Sequence, residues 1–137
     1  MKATLQITQL DYVRLNNLIQ SLKSTKKEEV HNLETLENEI FQASKVDSKE
    51  ITPDYVTMNS ELEVVDVDTN RTMKIKLVYP HEADFKLGRV SVLSPLGSAL
   101  IGYREGDQVS FKVPMGLKKV RISKILYQPE AAGEFLL

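Results

Sequence analysis

One stretch of the sequence decides the predicted fold: Ser94-Pro95-Leu96-Gly97-Ser98-Ala99-Leu100-Ile101-Gly102. Ser94 can cap a helix with its hydroxyl, Pro95 suits the first helical position, and Gly102 can end the helix. On both sides of this stretch apolar residues alternate with polar ones, as they do in half-buried strands. The sequence therefore predicts a short helix inserted among the strands of a sheet.

The alternation of apolar and polar residues is clearest at 73–79 and 109–113. Turn residues and short apolar runs predict the remaining strands. These lie at 56–58, 62–67, 89–93 and 119–127, and the turn Asp68-Thr69-Asn70 joins two of them. The alternation breaks at Lys124, so the pattern does not fix the end of the last strand.

The first part of the chain has a helical period instead. From Thr8 to Lys23, apolar residues recur three and four positions apart, and Thr8 with Asp11 forms a capping pattern. A second helix is predicted from Thr25 to Lys45, and the connection between the two is short. We therefore expect an antiparallel helical hairpin that projects on the order of 25 Å at about 1.5 Å per residue.

A polar segment at 46–54, which contains Pro53, separates the two patterns. We predict an α+β protein with a helical hairpin at 1–48 and a sheet domain at 51–137. A chain of 137 residues with 42% hydrophobic content can bury a core of this kind without metals or disulfides.

Composition limits the classes of function. The chain has no cysteine, which excludes disulfides, thiolate zinc sites and cysteine nucleophiles and suits the reducing cytoplasm. No segment is apolar enough for a signal peptide or a membrane helix. With 18 basic and 19 acidic residues the net charge is −1, so a protein partner is favoured over naked nucleic acid.

Motifs for enzymatic chemistry are absent from the sequence. His31 and His81 lie far apart without a third metal ligand, and no glycine-rich phosphate loop or nucleophile elbow occurs. We therefore predict neither a catalytic residue, nor a metal site, nor a cofactor.

Three surface features remain as candidates. The hairpin tip, Lys26-Lys27-Glu28-Glu29, carries an acidic pair that could reach a metal in another protein, although Glu28 also fits a helix cap. Five cations could form one basic sheet face, but Glu61 and Glu63 on a neighbouring strand would neutralise part of it, so an ordinary solvated face is favoured. The lysines and arginine of that face are Lys74, Lys76, Lys112, Lys119 and Arg121. The tail at 127–137 ends apolar, and we expect Phe135 and Leu136 to pack on the sheet.

The stretch at 94–102, followed by Gly106-Asp107, resembles the SPxxxALxG…GD signature of the C-terminal domains of Gre transcription elongation factors. Three further stretches resemble one branch of that family, the regulators of nucleoside diphosphate kinase: 56–60, 77–80 and 127–133. The resemblance covers residues 53–137. It implies an FKBP-like, antiparallel sheet domain with a short helix, preceded by an antiparallel coiled coil.

The resemblance also implies a partner, bacterial RNA polymerase, with the sheet domain docked on the rim of its secondary channel and nucleic acid met only through the polymerase. The residues implied in docking are Ser94, Pro95, Leu96, Ala99 and Leu100. Leu93 stands where many Gre factors carry an acidic residue, so that contact does not carry over. A link to nucleoside diphosphate kinase would be indirect.

In Gre factors a long coiled coil carries an acidic tip to the polymerase active site for transcript cleavage. The hairpin predicted here is much shorter, so we expect a polymerase-binding regulator without cleavage activity. The alternative is a cleavage-stimulating factor that uses Glu28 and Glu29. A peptidyl-prolyl isomerase would follow from an FKBP-like fold alone, and the scattered aromatic residues do not indicate its pocket.

Overall fold

A computed structural model describes residues 5–24 and 30–134 of the chain. Three α-helices and seven strands lie in these ranges. In chain order they are β1 (Gln6–Thr8), α1 (Gln9–Ser24), α2 (Val30–Gln42), β2 (Ser44–Val46), β3 (Glu61–Asp66), β4 (Thr72–Val78), β5 (Arg89–Ser91), α3 (Pro95–Leu100), β6 (Gln108–Val113) and β7 (Gly116–Tyr127). Two 3-10 helices, Pro80–Glu82 and Phe85–Leu87, connect β4 to β5. The chain is therefore mixed α+β.

The first helix begins where its capping pattern predicts. Thr8 Oγ1 accepts a hydrogen bond of 3.0 Å from the Asp11 amide, which satisfies one of the unpaired donors of the first turn. The antiparallel course of the two helices is confirmed, because the Lys23 ammonium reaches Glu37 Oε1 at 2.6 Å while the chain ends outside the helices meet in β1 and β2.

The parallel pairing of β1 with β2 was not predicted. Ile7 lies opposite Lys45, directly before α1 and directly after α2. Each strand has only three residues, too few to show a period of two in the sequence. The pair therefore closes the base of the helical hairpin.

The larger sheet has the order β5-β4-β3-β7-β6 and is antiparallel except at one edge. There β5 runs parallel to β4. The two 3-10 helices return the chain from the end of β4 to the level of Lys76, where Arg89 begins β5 in the same direction. The prediction of an entirely antiparallel sheet was wrong at this edge. The predicted turn at 68–70 joins β3 to β4, with Asn70 in the left-handed region at φ 60°.

The break in alternation near Lys124 corresponds to irregular pairing. Between β3 and β7 the register shifts twice, so that Glu63 pairs with Lys124 while Val64 pairs with Ile122. Each shift inserts an unpaired residue in β7 and bends the strand. The strand is therefore continuous from 116 to 127, although its side chains change face.

The predicted strand at 56–58 is absent. Val56 and Met58 are fully buried, but the segment forms a turn in which the Ser60 amide donates to the Thr57 carbonyl at 3.1 Å. Burial on both sides mimics a strand pattern in the sequence, whereas the left-handed Asn59 (φ 67°) ends any extended run.

One hydrophobic cluster joins the helices to the sheet. Leu15 and Ile19 of α1 and Leu36 and Ile40 of α2 are buried in the same cluster as the inner residues of the sheet. Both helices therefore pack on the sheet domain as well as on each other, and α2 also packs against the short helix α3.

Candidate functional site

The short helix α3 carries the residues that the sequence singles out. Ser94 caps it: the serine Oγ accepts from the Gly97 amide at 3.0 Å and donates to the Ser91 carbonyl at 2.7 Å. Pro95 occupies the first turn and is exposed. The cap therefore fixes the orientation of an exposed proline at the start of a helix.

Gly97 sets how closely α3 lies against β5. A Cβ atom added at this position would meet the Ser91 carbonyl oxygen at 2.0 Å and the Val92 Cα at 2.9 Å. Only glycine permits this approach, because real Cβ contacts to backbone are longer than 3.0 Å. The buried Ser98 hydroxyl donates to the Ser94 carbonyl at 3.0 Å, so this hydroxyl has a hydrogen-bond partner within the helix.

A groove of about 760 Å³ lies on one side of α3. Pro95 and Ala99 line it together with Tyr103 and Phe111, and α2 forms the opposite wall. Glu34 of α2 places a carboxylate at this wall. The groove thus brings apolar side chains together with charges of both signs, because Lys112 lines it as well as Glu34. A groove of this kind suits a protein segment that is itself partly apolar and partly charged.

A second, smaller cavity of about 410 Å³ lies on the other side of α3, where Leu96 faces it. Phe85 and Leu87 also line this cavity, and they are 80% and 63% exposed. Met73 adds a third exposed apolar side chain. Large apolar groups clustered in this way are typical of an interaction surface.

The structure places the predicted docking residues differently from one another. Pro95 and Ala99 border the groove, Leu96 faces the smaller cavity, and Ser94 acts through its cap. Leu100 is 0% exposed and belongs to the core, so its side chain holds α3 in place and is not presented to a partner.

Other predicted site residues lie outside the described part of the chain. They are Lys26, Lys27, Glu28 and Glu29 of the hairpin tip and Phe135 and Leu136 of the tail. The basic sheet face is described: Lys76 lies opposite Glu61 on the neighbouring strand, and Lys74 lies opposite Glu63.

Two buried carboxyl groups join the helices, the 57–60 turn and the tail. Asp11 of α1 is 1% exposed, and its Oδ2 accepts from the Met58 amide at 3.0 Å. Burial raises the pKa of Asp11 from 3.8 to about 7, although the Met58 amide lowers it. Glu130 is 7% exposed and accepts from the Thr57 hydroxyl at 2.7 Å, and burial raises its pKa too.

Neither residue stands out in the sequence as part of a buried contact. Asp11 fits a helix cap, and Glu130 lies in the stretch at 127–133 that carries the family resemblance. The Gln128 amide donates to the carbonyls of Thr52 and Tyr55 at 2.9 and 2.8 Å, which fixes the tail against the turn segment. Asp11 and Met58 are 47 positions apart, and Glu130 and Thr57 are 73 apart, so no local pattern could have indicated these contacts.

The described residues hold no cluster of three or more histidine and acidic side chains that could bind a metal. His81 is exposed, and its Nε2 lies 3.8 Å from Glu82 Oε1. Asp107 of the Gly-Asp pair accepts from the Arg104 amide at 2.8 Å and supports the turn before β6. No helix in the described residues is both long enough and apolar enough to span a membrane.

Comparison with known proteins identifies the family. A family model described as "Transcription elongation factor, GreA/GreB, C-term" matches residues 51–127. This match covers more than half of the chain and includes α3 with its cap. The chain therefore belongs to the GreA/GreB family of transcription elongation factors, as the motif at 94–107 indicates, and no catalytic enzyme is indicated.

Two relatives and one solved structure illustrate the similarity. The Regulator of nucleoside diphosphate kinase of Escherichia coli is 33% identical over 105 residues, 76% of this chain and 77% of its own length. The transcription elongation factor GreA of Syntrophotalea carbinolica is 37% identical over 95 residues, 69% of this chain. The match spans only 60% of that GreA.

The solved structure is a prokaryotic transcription elongation factor GreA/GreB from Nitrosomonas europaea. It is 34% identical, with a TM-score of 0.74, and the alignment covers 90% of this chain and 100% of that one. The chain therefore shares its fold with a Gre-type protein over nearly its whole length.

Proposed function

We propose that the protein regulates transcription by binding bacterial RNA polymerase at the rim of its secondary channel, without stimulating transcript cleavage. The observation that carries this proposal is the capped, exposed start of α3, formed by Ser94 and Pro95 within the stretch that the family model matches. The residues at 51–137 would form an FKBP-like domain that binds the rim, and the helical hairpin at 1–48 would pack as a coiled coil.

The surfaces beside α3 support a protein partner. Pro95 and Ala99 border the groove, Phe111 adds apolar surface, and Glu34 places a carboxylate at the far wall, with Lys112 also in the lining. An amphipathic helix of the polymerase would bury its apolar side there and place a cation near Glu34. Leu96, with the exposed Phe85, would contact the same partner on the other side of α3.

Titration against core RNA polymerase by interferometry tests the proposal. We expect saturable binding that a Gre factor competes, and we expect Pro95→Ala to weaken it. Pro53→Ala is the matched control, because Pro53 is also exposed but lines neither cavity beside α3. Absence of polymerase binding, or equal weakening by both substitutions, would contradict docking through α3.

The proposed absence of cleavage rests on length. The 16 residues of α1 span about 24 Å at 1.5 Å per residue, and the 13 residues of α2 span about 20 Å. A hairpin of this size would enter the channel mouth without reaching a distant metal. The alternative, a cleavage-stimulating factor that uses Glu28 and Glu29, predicts that replacing both by alanine abolishes trimming of a stalled transcript.

Three further parts of the proposal follow from the partner. Nucleic acid would be met only through the polymerase, and the protein would act in the cytoplasm, where the polymerase works. Any effect on nucleoside diphosphate kinase would be indirect and would depend on transcription. A proline-peptide isomerisation assay is expected to give the background rate.

A further inference from the structure

A cleft on another side of the molecule has no part in the docking proposal. It lies between α1 and the end of β4, and its volume is about 590 Å³, within the range of small-molecule sites. Arg14 and Asn17 line it from the helix, and Lys76 lines it from the strand. The 57–60 turn contributes Asn59. Separate segments of the chain therefore direct hydrogen-bond donors into one space.

The balance of charge in this cleft differs from that of the whole chain. Its lining includes the cations Arg14 and Lys76 and the imidazole of His81, and among the described residues Glu82 is its one carboxylate. In the described part of the chain, the Lys76 ammonium has no carboxylate within 4.0 Å, although Glu61 lies opposite it on β3. A chain of net charge −1 thus holds a local excess of positive charge.

Tyr79 forms the inner part of the cleft. Its hydroxyl is buried and makes no hydrogen bond of good geometry with the described residues. Burial raises the pKa of Tyr79 well above its usual range, whereas the nearby Arg14 guanidinium lowers it, so the phenol stays protonated and can donate. The ring stacks on His81 with centroids 6.4 Å apart, which orients the imidazole beside it.

The backbone keeps these groups in place. Asn59 adopts a left-handed conformation at φ 67° and is mostly buried, and its amide donates to the Leu77 carbonyl at 2.7 Å. That bond fixes the turn to β4 next to Lys76. The cleft is therefore preformed, and a ligand would not need to order it.

We propose that this cleft binds a small phosphate-bearing anion with two linked phosphoryl groups. Arg14 would chelate phosphoryl oxygens through two N–H groups and Lys76 would supply a second cation, since guanidinium and ammonium groups are the usual partners of phosphate. The side-chain amides of Asn17 and Asn59 would donate to the remaining oxygens. A single phosphate would leave much of the 590 Å³ empty.

Negative groups near the cleft limit the affinity. Glu82 lies beside His81, and Asp11 lies behind Arg14 and Tyr79. Asp11 is buried and only partly ionised near neutral pH, since burial raises its pKa to about 7. We therefore expect affinity on the order of 0.1–1 mM for inorganic pyrophosphate in moderate salt, which a longer ligand with further contacts would improve.

The test is a titration of the full chain with inorganic pyrophosphate. Amide NMR and calorimetry measure the binding. We expect shifts at the side-chain amides of Asn17 and Asn59, and weakening of at least about fivefold in Lys76→Gln and in Arg14→Gln. Lys74→Gln is the matched control: it lies on the same strand opposite Glu63, as Lys76 lies opposite Glu61, but it does not line the cleft. Lys74→Gln should change the affinity for pyrophosphate less than about twofold, because salt screens the interaction between Lys74 and an anion in the cleft.

Further arms compare inorganic phosphate and sulfate with pyrophosphate. Both should bind more weakly, by about tenfold, if two linked phosphoryl groups are recognised. Arg14 also contacts buried groups, so a circular dichroism melt checks that its variant folds. Lys76 is half-buried and forms no ion pair with the described residues, so Lys76→Gln serves as the second variant and is checked by the same melt. The proposal is overturned if no shift occurs up to about 10 mM pyrophosphate. Equal weakening by Lys74→Gln and Lys76→Gln, or equal binding of all three anions, also overturns it.

Discussion

Replacement of Gly97 by alanine should separate α3 from the sheet. The new Cβ would lie 2.0 Å from the Ser91 carbonyl oxygen and 2.8 Å from the Ser91 carbonyl carbon. Both are backbone atoms, so no side-chain rotation relieves the contact. To lengthen the distance from the new Cβ to the Ser91 oxygen even to 3.0 Å, α3 would have to move away from β5 by roughly 1 Å. A gap of that size between packed atoms loses a quarter to a half of the energy of each affected contact.

The expected cost follows from two opposing effects. Overpacking against a rigid backbone costs about 1–3 kcal/mol, and so short a contact belongs at the upper end. The better helix propensity of alanine offsets about 1 kcal/mol of this. We therefore expect Gly97→Ala to lower the free energy of unfolding by about 2 kcal/mol, although helix propensity alone would predict a gain.

Urea denaturation measures this free energy directly. Gly106→Ala is the control, because a Cβ there meets nothing within 4 Å and only its φ of 94° opposes the substitution. It should cost about 1 kcal/mol through backbone strain alone. Polymerase binding should weaken in Gly97→Ala as well, since the movement displaces Pro95. A Gly97→Ala protein as stable as the original would refute the steric argument.

Three further substitutions test the buried polar contacts and the cap. Because folding raises the pKa of Asp11 from 3.8 to about 7, the folded state binds the proton more tightly, so this group's contribution to stability falls as pH rises from about 4 to about 7. Asp11→Asn should remove that part of the pH dependence, which denaturation at pH 5 and pH 8 would reveal as a smaller difference than in the original protein; an unchanged difference would contradict it. Thr57→Val leaves Glu130 buried without its donor and should cost about 1.5–3 kcal/mol, measured by urea denaturation, with an effect below about 0.5 kcal/mol counting against the contact. Ser94→Ala removes the cap of α3 and should cost about 1 kcal/mol, whereas Ser94→Asn should retain most of the stability.

Local chemistry made much of the fold predictable. Thr8 and Ser94 cap their helices as expected, because a capping hydroxyl acts within three residues of its own position. The alternating strands β4 and β6 follow the predicted ranges within one residue, since a half-buried strand imposes a period of two. Helix α1 also matches its prediction, because its start depends on the Thr8 cap and its length on a helical period of apolar residues.

The errors arose where long-range contacts decide. The segment at 56–58 is buried by α1 and the tail, so its apolar residues imitate a strand. The parallel pairing of β5 depends on where two 3-10 helices turn the chain. The candidate site shows the same division: the cap at Ser94 was predictable, whereas the cleft at Arg14 and Lys76 is formed by residues distant in sequence.

The pairing of β1 with β2 allows the hairpin to vary in length independently of the sheet domain. Ile7 and Lys45 are neighbours, so the chain leaves and re-enters the globular part at one point. Whole turns could be added to the end of α1 after Lys23 and to the part of α2 before Glu37. The hairpin would then lengthen by about 1.5 Å for each residue added to both helices, and β1 and β2 would not move. Insertion or deletion of whole turns could thus change the length of the hairpin among relatives while the surface beside α3 stays the same.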